Sequence, residues 1–309
     1  MRVSTAWSHQ STVSSMLNQQ AKLQETQLQL ATGKKILTPS DDPASSALLI
    51  DLTQSLKQQE QFQNNINTTR HRLTMEESVL QNATEILQRI QELGIQGLSD
   101  TNAGQARSAT GTEMEALNEQ LLNLANTKNA NGEYMFAGFK TDTQPFSKDA
   151  SNPGAYAYAG DTNVRSVQID VSRQITDGDP GSRVFGVPTG PSPATVPAPG
   201  SITNVFEAIN KFAADLKSNS PSSASLGDIS RALDNISLTR ASVGARLNAL
   251  DKQDEINSDS IINTKTVMSA MQDLDYAEAI SRFSQQQLSL QAAQQTFSQT
   301  AKLSLFNYL

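Results

Sequence analysis

The stretch QFQNNINTTRHRLTMEESVLQNATEILQRI, Gln61–Ile90, decides the fold. Its apolar residues fall at Phe62, Ile66, Leu73, Leu80, Ala83, Leu87 and Ile90, with Thr69 and Glu76 in the remaining places of the same row. Steps of four and three, kept over about four heptads, describe a helix that lays a narrow seam against a long partner. Continued over Ala44–Leu98, such a helix would reach about 80 Å at 1.5 Å per residue.

The partner is found downstream. Leu226, Leu233, Ile236, Val243, Leu247, Leu250, Ile261, Met268 and Met271 repeat the spacing, with Arg240, Asp254, Asn257 and Thr264 in seam places. Polar seam residues weaken such a pair and specify its register, so the two runs are expected to pack together within one chain. Ala106–Ala130, with Met114, Leu117, Leu121 and Leu124 on one face, predicts a third helix folded back on the first run, and a further helix is predicted over about Ser201–Lys217.

Weaker helical rows lie at both ends. Met16, Leu23 and Leu30 form one row of Ser11–Thr32 and Leu17, Ala21, Leu28 and Ala31 another, diluted by Gln20, Gln24 and Gln27. At the other end Tyr276, Ile280, Phe283, Leu290, Phe297 and Ala301 keep the seam, with Gln287 and Gln294 in it, and Leu303, Leu305, Phe306, Tyr308 and Leu309 form an apolar tip. Such poor seams gain little from one packing partner, so the first segment is expected to order only within an assembly. The predicted assembly interface is therefore Met16, Leu17, Leu23, Leu28, Leu30, Ile280, Phe283, Leu290, Phe297, Leu303, Leu305, Phe306 and Leu309.

Between the first helices, Gly33 reads as a left-handed cap, Lys34–Pro39 as a connection, and Asp42–Pro43 as an N-cap followed by proline at the first helical position. From Gly132 to Gly200 the pattern changes to short aromatic and β-branched runs, including the alternation Val167, Ile169, Val171, separated by turn residues. Pro188, Pro191, Pro193, Pro197 and Pro199 mark a return linker. The fold class is mainly α with a β-rich insert: an elongated bundle of coiled-coil-like helices from both chain ends plus a small outer β domain. The expected domains are 1–43 with 276–309 for assembly, 44–138 with 201–275 as helical bundle, and 139–200 as outer domain with its linker.

Composition narrows the function. Only 37% of the 309 residues are hydrophobic, too few for one large core, and the net charge of -7 provides no basic field for nucleic acid or anionic membrane. Without cysteine there is no disulfide, thiolate nucleophile or cysteine metal site. His71 sits between Arg70 and Arg72, which oppose a metal, and it and His9 read as helix-surface residues. Asp41 and Asp42 stand where a helix start needs acceptors, which favours capping over acid–base chemistry or calcium. Gly178–Gly181 reads as a turn between strands. No catalytic, cofactor-binding or metal-binding residue is assigned, no cofactor is expected, and the chain reads as non-enzymatic. Met1–Met16 lacks the apolar run of a secretory signal, and Phe283–Ala301 holds seven glutamines, so no membrane span is expected.

Three strings carry a resemblance. LATGKKILTPSDDP (Leu30–Pro43), GEYMFAG (Gly132–Gly138) and LSLFNYL (Leu303–Leu309) resemble the FlgL family of flagellar junction proteins within the flagellin superfamily. Leu37, Thr38 and Pro39, and the ending itself, depart from the pattern of flagellin proper. The resemblance implies an extracellular flagellar adaptor that forms a ring on a FlgK-like hook-associated protein and beneath flagellin. It further implies type III export without a cleaved signal and a FlgN-type chaperone on the C-terminal helix. A flagellin-like filament subunit, or an adhesion module using the insert, remain as alternatives.

Overall fold

A computed structural model describes residues 2–99, 104–150, 152, 154–187 and 203–302. The chain divides into two compact units, Met1–Glu60 with Asp259–Leu309, and Gln61–Ser258. Three long helices come first: α1 (Arg2–Thr32), α2 (Pro43–Leu98) and α3 (Gly104–Ala125). The hairpins β1/β2 (Phe146–Lys148, Tyr156–Tyr158) and β3/β4 (Ser166–Gln168, Gln174–Thr176) follow, then a short α4 (Gly181–Val184). The chain continues as α5 (Val205–Lys217), α6 (Ser223–Gln272) and α7 (Tyr276–Lys302). The fold is thus mainly helical with a small antiparallel insert.

In unit 61–258 the decisive row is buried: Ile66, Leu73, Leu80, Leu87 and Ile90 are fully enclosed, as are Ile229, Ile236, Val243 and Leu250 of α6. Polar pairs lace the two helices together. Gln63 donates to Asp254, Gln91 to Ser230 at 3.0 Å, Arg70 pairs with Asp251 and Asp254 at 3.1 and 3.0 Å, and Arg240 pairs with Glu77 at 2.6 Å. Ile229 and Ala232 are enclosed while Leu226 and Leu233, expected in the seam, are only partly buried. The buried residues of α6 still keep steps of four and three, but Ala232, Thr239 and Gln253 take the places expected for Leu233, Arg240 and Asp254. The helix also holds the insert: Asn235 donates to the carbonyls of Arg183 and Val184, and Asn257 to that of Ile169.

Helix α5 is amphipathic and enters the core with Phe206, Ile209, Phe212 and Leu216. Asn204 caps it, accepting from the Glu207 amide. It packs on α3 and against α2, where Gly94 and Gly97 leave room: a Cβ there would lie 2.6 Å from Phe212 and 2.4 Å from Leu216. Helix α3 folds back along α2, with Arg89 and Glu113 paired at 2.9 Å. It ends at Ala125 rather than Ala130, because Asn126 turns its side chain to the insert. Its amide donates to the Phe146 carbonyl and its carbonyl accepts from the Phe146 amide, both at 3.0 Å.

The insert brings no core of its own. Phe136, Phe146, Tyr156, Ile169 and Phe185 join the same cluster as the helices, with Phe146 4.9 Å from Phe206 and 5.7 Å from Phe185 between ring centres. Strand β3 stops at Gln168, and Val171, expected to continue the alternation, lies exposed at the hairpin tip. Gly178–Gly181 joins β4 to α4, a strand-to-helix link and not a turn between strands. The proline-rich linker lies outside the described residues.

In unit 1–60 with 259–309, α1 is helical from Arg2, earlier than the Ser11 that its apolar spacing marks, and packs on α7. The His9 and Phe297 rings meet edge to face at 5.8 Å, while at the other end the Leu274 amide donates to the Gly33 carbonyl at 3.0 Å. These contacts make α1 and α7 antiparallel.

Candidate assembly surface

The expected interface residues separate into two sets once α1 and α7 pair. Met16, Leu23 and Leu30, seven residues apart on α1, are half-buried, and so are Phe283, Leu290 and Phe297, at the same spacing on α7. Those rows lie in the seam between the two helices. Leu17, Leu28 and Ile280 remain 61%, 57% and 54% exposed, in the company of Trp7 and Leu288. Leu303, Leu305, Phe306 and Leu309 lie outside the described residues.

The seam is set in register at one end by the meeting of two turns. Gly33, with φ +69°, ends α1, and its amide donates to Gln29 at 2.8 Å. The Lys35 amide donates to the Gln272 carbonyl at 2.7 Å, and Lys34 bridges Asp273. Gln29, buried, adds its side-chain amide to the Lys35 carbonyl at 2.9 Å. The turn before α2 is thereby strapped to the turn before α7.

Two carboxylates finish the first turn. Asp41 accepts from the Thr38 amide and hydroxyl, each at 2.8 Å, and from the Leu37 amide at 2.9 Å. Those bonds, Thr38's amide first, hold its carboxyl below the usual range. Asp42 accepts from the Ser45 hydroxyl at 2.5 Å and amide at 3.1 Å, which lowers its pKa likewise and caps α2 ahead of Pro43. Pro39 is exposed in the loop between the helices.

A second polar cluster lies in unit 61–258 and escaped the sequence reading. Glu76, 2% exposed, accepts from the Asp179 amide at 3.1 Å. Asp179 in turn pairs with Arg246, and Asp177 with Arg165. Burial, then the nearby Asp179 carboxylate, pushes Glu76 up to about 8. The group fastens the loop after β4 to α2 and α6. A carboxylate in a heptad row was the available signal.

Residues 3–141 match the bacterial flagellin N-terminal helical region, and 226–309 the bacterial flagellin C-terminal helical region. Over 99% of both chains the sequence is 32% identical to flagellar hook-associated protein 3 of Escherichia coli (strain K12), and 30% identical, with the same coverage, to that of Salmonella typhimurium. The chain belongs to the flagellar hook-associated protein 3 family.

Flagellar hook-associated protein 3, or FlgL, is a structural component of the flagellum and not an enzyme. The flagellar junction protein FlgL of Legionella pneumophila has the same fold, with a TM-score of 0.59 at 21% identity over 73% of this chain and 99% of that one. The FlgL of Xanthomonas campestris gives 0.60 at 20% identity over 71% and 99%. Flagellins are similar over less of their length: polar flagellin F of Vibrio parahaemolyticus matches 55% of this chain at 26% identity, and 40% of its own. Among the described residues, no helix of this FlgL family member is long and apolar enough to cross a membrane.

Proposed function

We propose that this chain is an adaptor subunit that assembles into a ring at the hook–filament junction, resting on a FlgK-like hook-associated protein and receiving flagellin above. The observation that carries the reading is the leftover apolar surface: α1 and α7 use one row each on one another, yet Leu17, Leu28 and Ile280 stay more than half exposed. Apolar residues left more than half exposed along a helix pair, among the described residues, suit further helices of neighbouring subunits. On this reading 1–43 and 276–309 form the inner assembly domain, 44–138 and 201–275 the helical bundle, and 139–200 the outer face. Leu303, Leu305, Phe306 and Leu309 extend the interface. Export through the flagellar type III apparatus, with a FlgN-type chaperone on the C-terminal helix, belongs to the same proposal.

The test is a double substitution, Leu17→Ser with Leu28→Ser, in a strain lacking the native gene. The monomer should keep its helical content while cells fail to retain filaments and shed flagellin into the medium. Normal filaments on cells carrying the variant would overturn the proposal.

A further inference from the structure

The sequence holds one Asn-Gly pair, Asn131–Gly132, separated only by Glu133 and Tyr134 from the buried Met135 and Phe136. We propose that Asn131 is a site of spontaneous deamidation and isomerisation, with its own side-chain amide as substrate and water as co-reactant. The Gly132 backbone nitrogen, on losing its proton to solvent base, attacks Cγ of Asn131. The Cγ–Nδ2 bond breaks, ammonia departs with a proton taken from solvent, and a five-membered imide remains. Water then opens the imide at either carbonyl, leaving aspartate or isoaspartate.

Three features favour the reaction here. Asn131 is exposed, and among the described residues its side chain is held by no hydrogen bond. Gly132 is exposed, it carries no side chain, and a Cβ built on it would meet nothing within 4 Å, so the turn has open space on that side. Its φ of +82° places the pair in a surface turn, where local opening is easy. One brake exists: the Gly132 amide donates to the Asn129 carbonyl at 3.0 Å. Asn129 itself is secured, its amide donating to Glu133 at 2.8 Å and its Oδ1 accepting from the amides of Asn131 and Glu133.

Isoaspartate adds a methylene to the backbone between those two amides, which share one acceptor. The next contacts, the Lys128–Tyr134 bridge and the Met135 amide on the Thr127 carbonyl at 3.1 Å, must then shift. Ageing of this turn would loosen the entry to the insert.

The experiment incubates the purified full-length protein at neutral and mildly alkaline pH and follows the tryptic peptide Asn129–Lys140 by mass spectrometry. The expected result is a one-dalton gain at Asn131 that grows faster at the higher pH, with Asn129 of the same peptide unchanged. Asn131→Gln, whose cyclisation would need a larger ring, should lose the gain while keeping the turn. Asn129→Ala, which removes the shared acceptor, should speed it several-fold. Intact Asn131 under conditions that deamidate the free peptide, or reaction at Asn129 first, would overturn the proposal.

Discussion

A Cβ placed on Gly33 would stand 2.8 Å from the hydroxyl of Tyr276, so the first residue of α7 closes over the last turn of α1. With φ at +69°, Gly33→Ala faces both backbone strain and that hydroxyl. It should destabilise the unit formed by 1–60 and 259–309 by about 1–3 kcal/mol. Adding Tyr276→Phe should restore part of the loss. A double-mutant cycle by urea denaturation measures the coupling, and strictly additive losses would show that the hydroxyl contact contributes nothing.

Glu76 sets a pH dependence of opposite sign to that of ordinary surface acids. Its pKa is raised on folding from 4.5 to about 8, so its contribution to stability is fully present below 4.5 and is lost as pH rises through 8. Between those values one proton gives a slope of at most about 1.4 kcal/mol per pH unit. Glu76→Gln keeps an oxygen for the Asp179 amide and carries no proton to lose. Its urea midpoint should hardly change across that interval, whereas that of the parent should fall.

Asp41 and Asp42 act the other way. Their pKa values are depressed on folding, so their stabilising effect is present above the usual carboxylate range and lost as pH falls through their folded values. Asp42→Ala should shorten α2 at its start and flatten the acid limb of the helical signal. Amide exchange at Ser45 and Ser46 reports the change directly.

Asn126→Ala removes both hydrogen bonds to the backbone of Phe146. Leaving those peptide groups unpaired should cost about 1–3 kcal/mol apiece. A melting temperature indistinguishable from the parent's would mean that water replaces Asn126 without penalty.

Much of this architecture was legible because heptad spacing is a one-dimensional record of helix pairing, and the Phe62–Ile90 row is buried along its length. Where a helix serves two neighbours the record blurs. On α6, Leu226 and Leu233 outweigh Ile229 and Ala232 in any hydrophobic count, yet the latter pair is enclosed and the former only partly buried. Glu76 fitted a seam place by number, but its partner is a loop about one hundred residues away, and nothing local announces that. The rows of α1 were visible; which one faces α7 depends on the antiparallel seating of two distant segments. Three-residue strands, finally, are too short to leave a reliable alternation, so Val171 read as buried and is not.

The rungs between α2 and α6 have a mechanical meaning. Sliding one helix along the other by a heptad, about 10 Å, would lay apolar residues on apolar residues again. It would also part Arg240 from Glu77, Arg70 from Asp251 and Asp254, and Gln91 from Ser230. One alignment is therefore deep and its neighbours shallow, like a ratchet with a single notch. A flagellar part joined in this way resists shear between its own helices without a larger core.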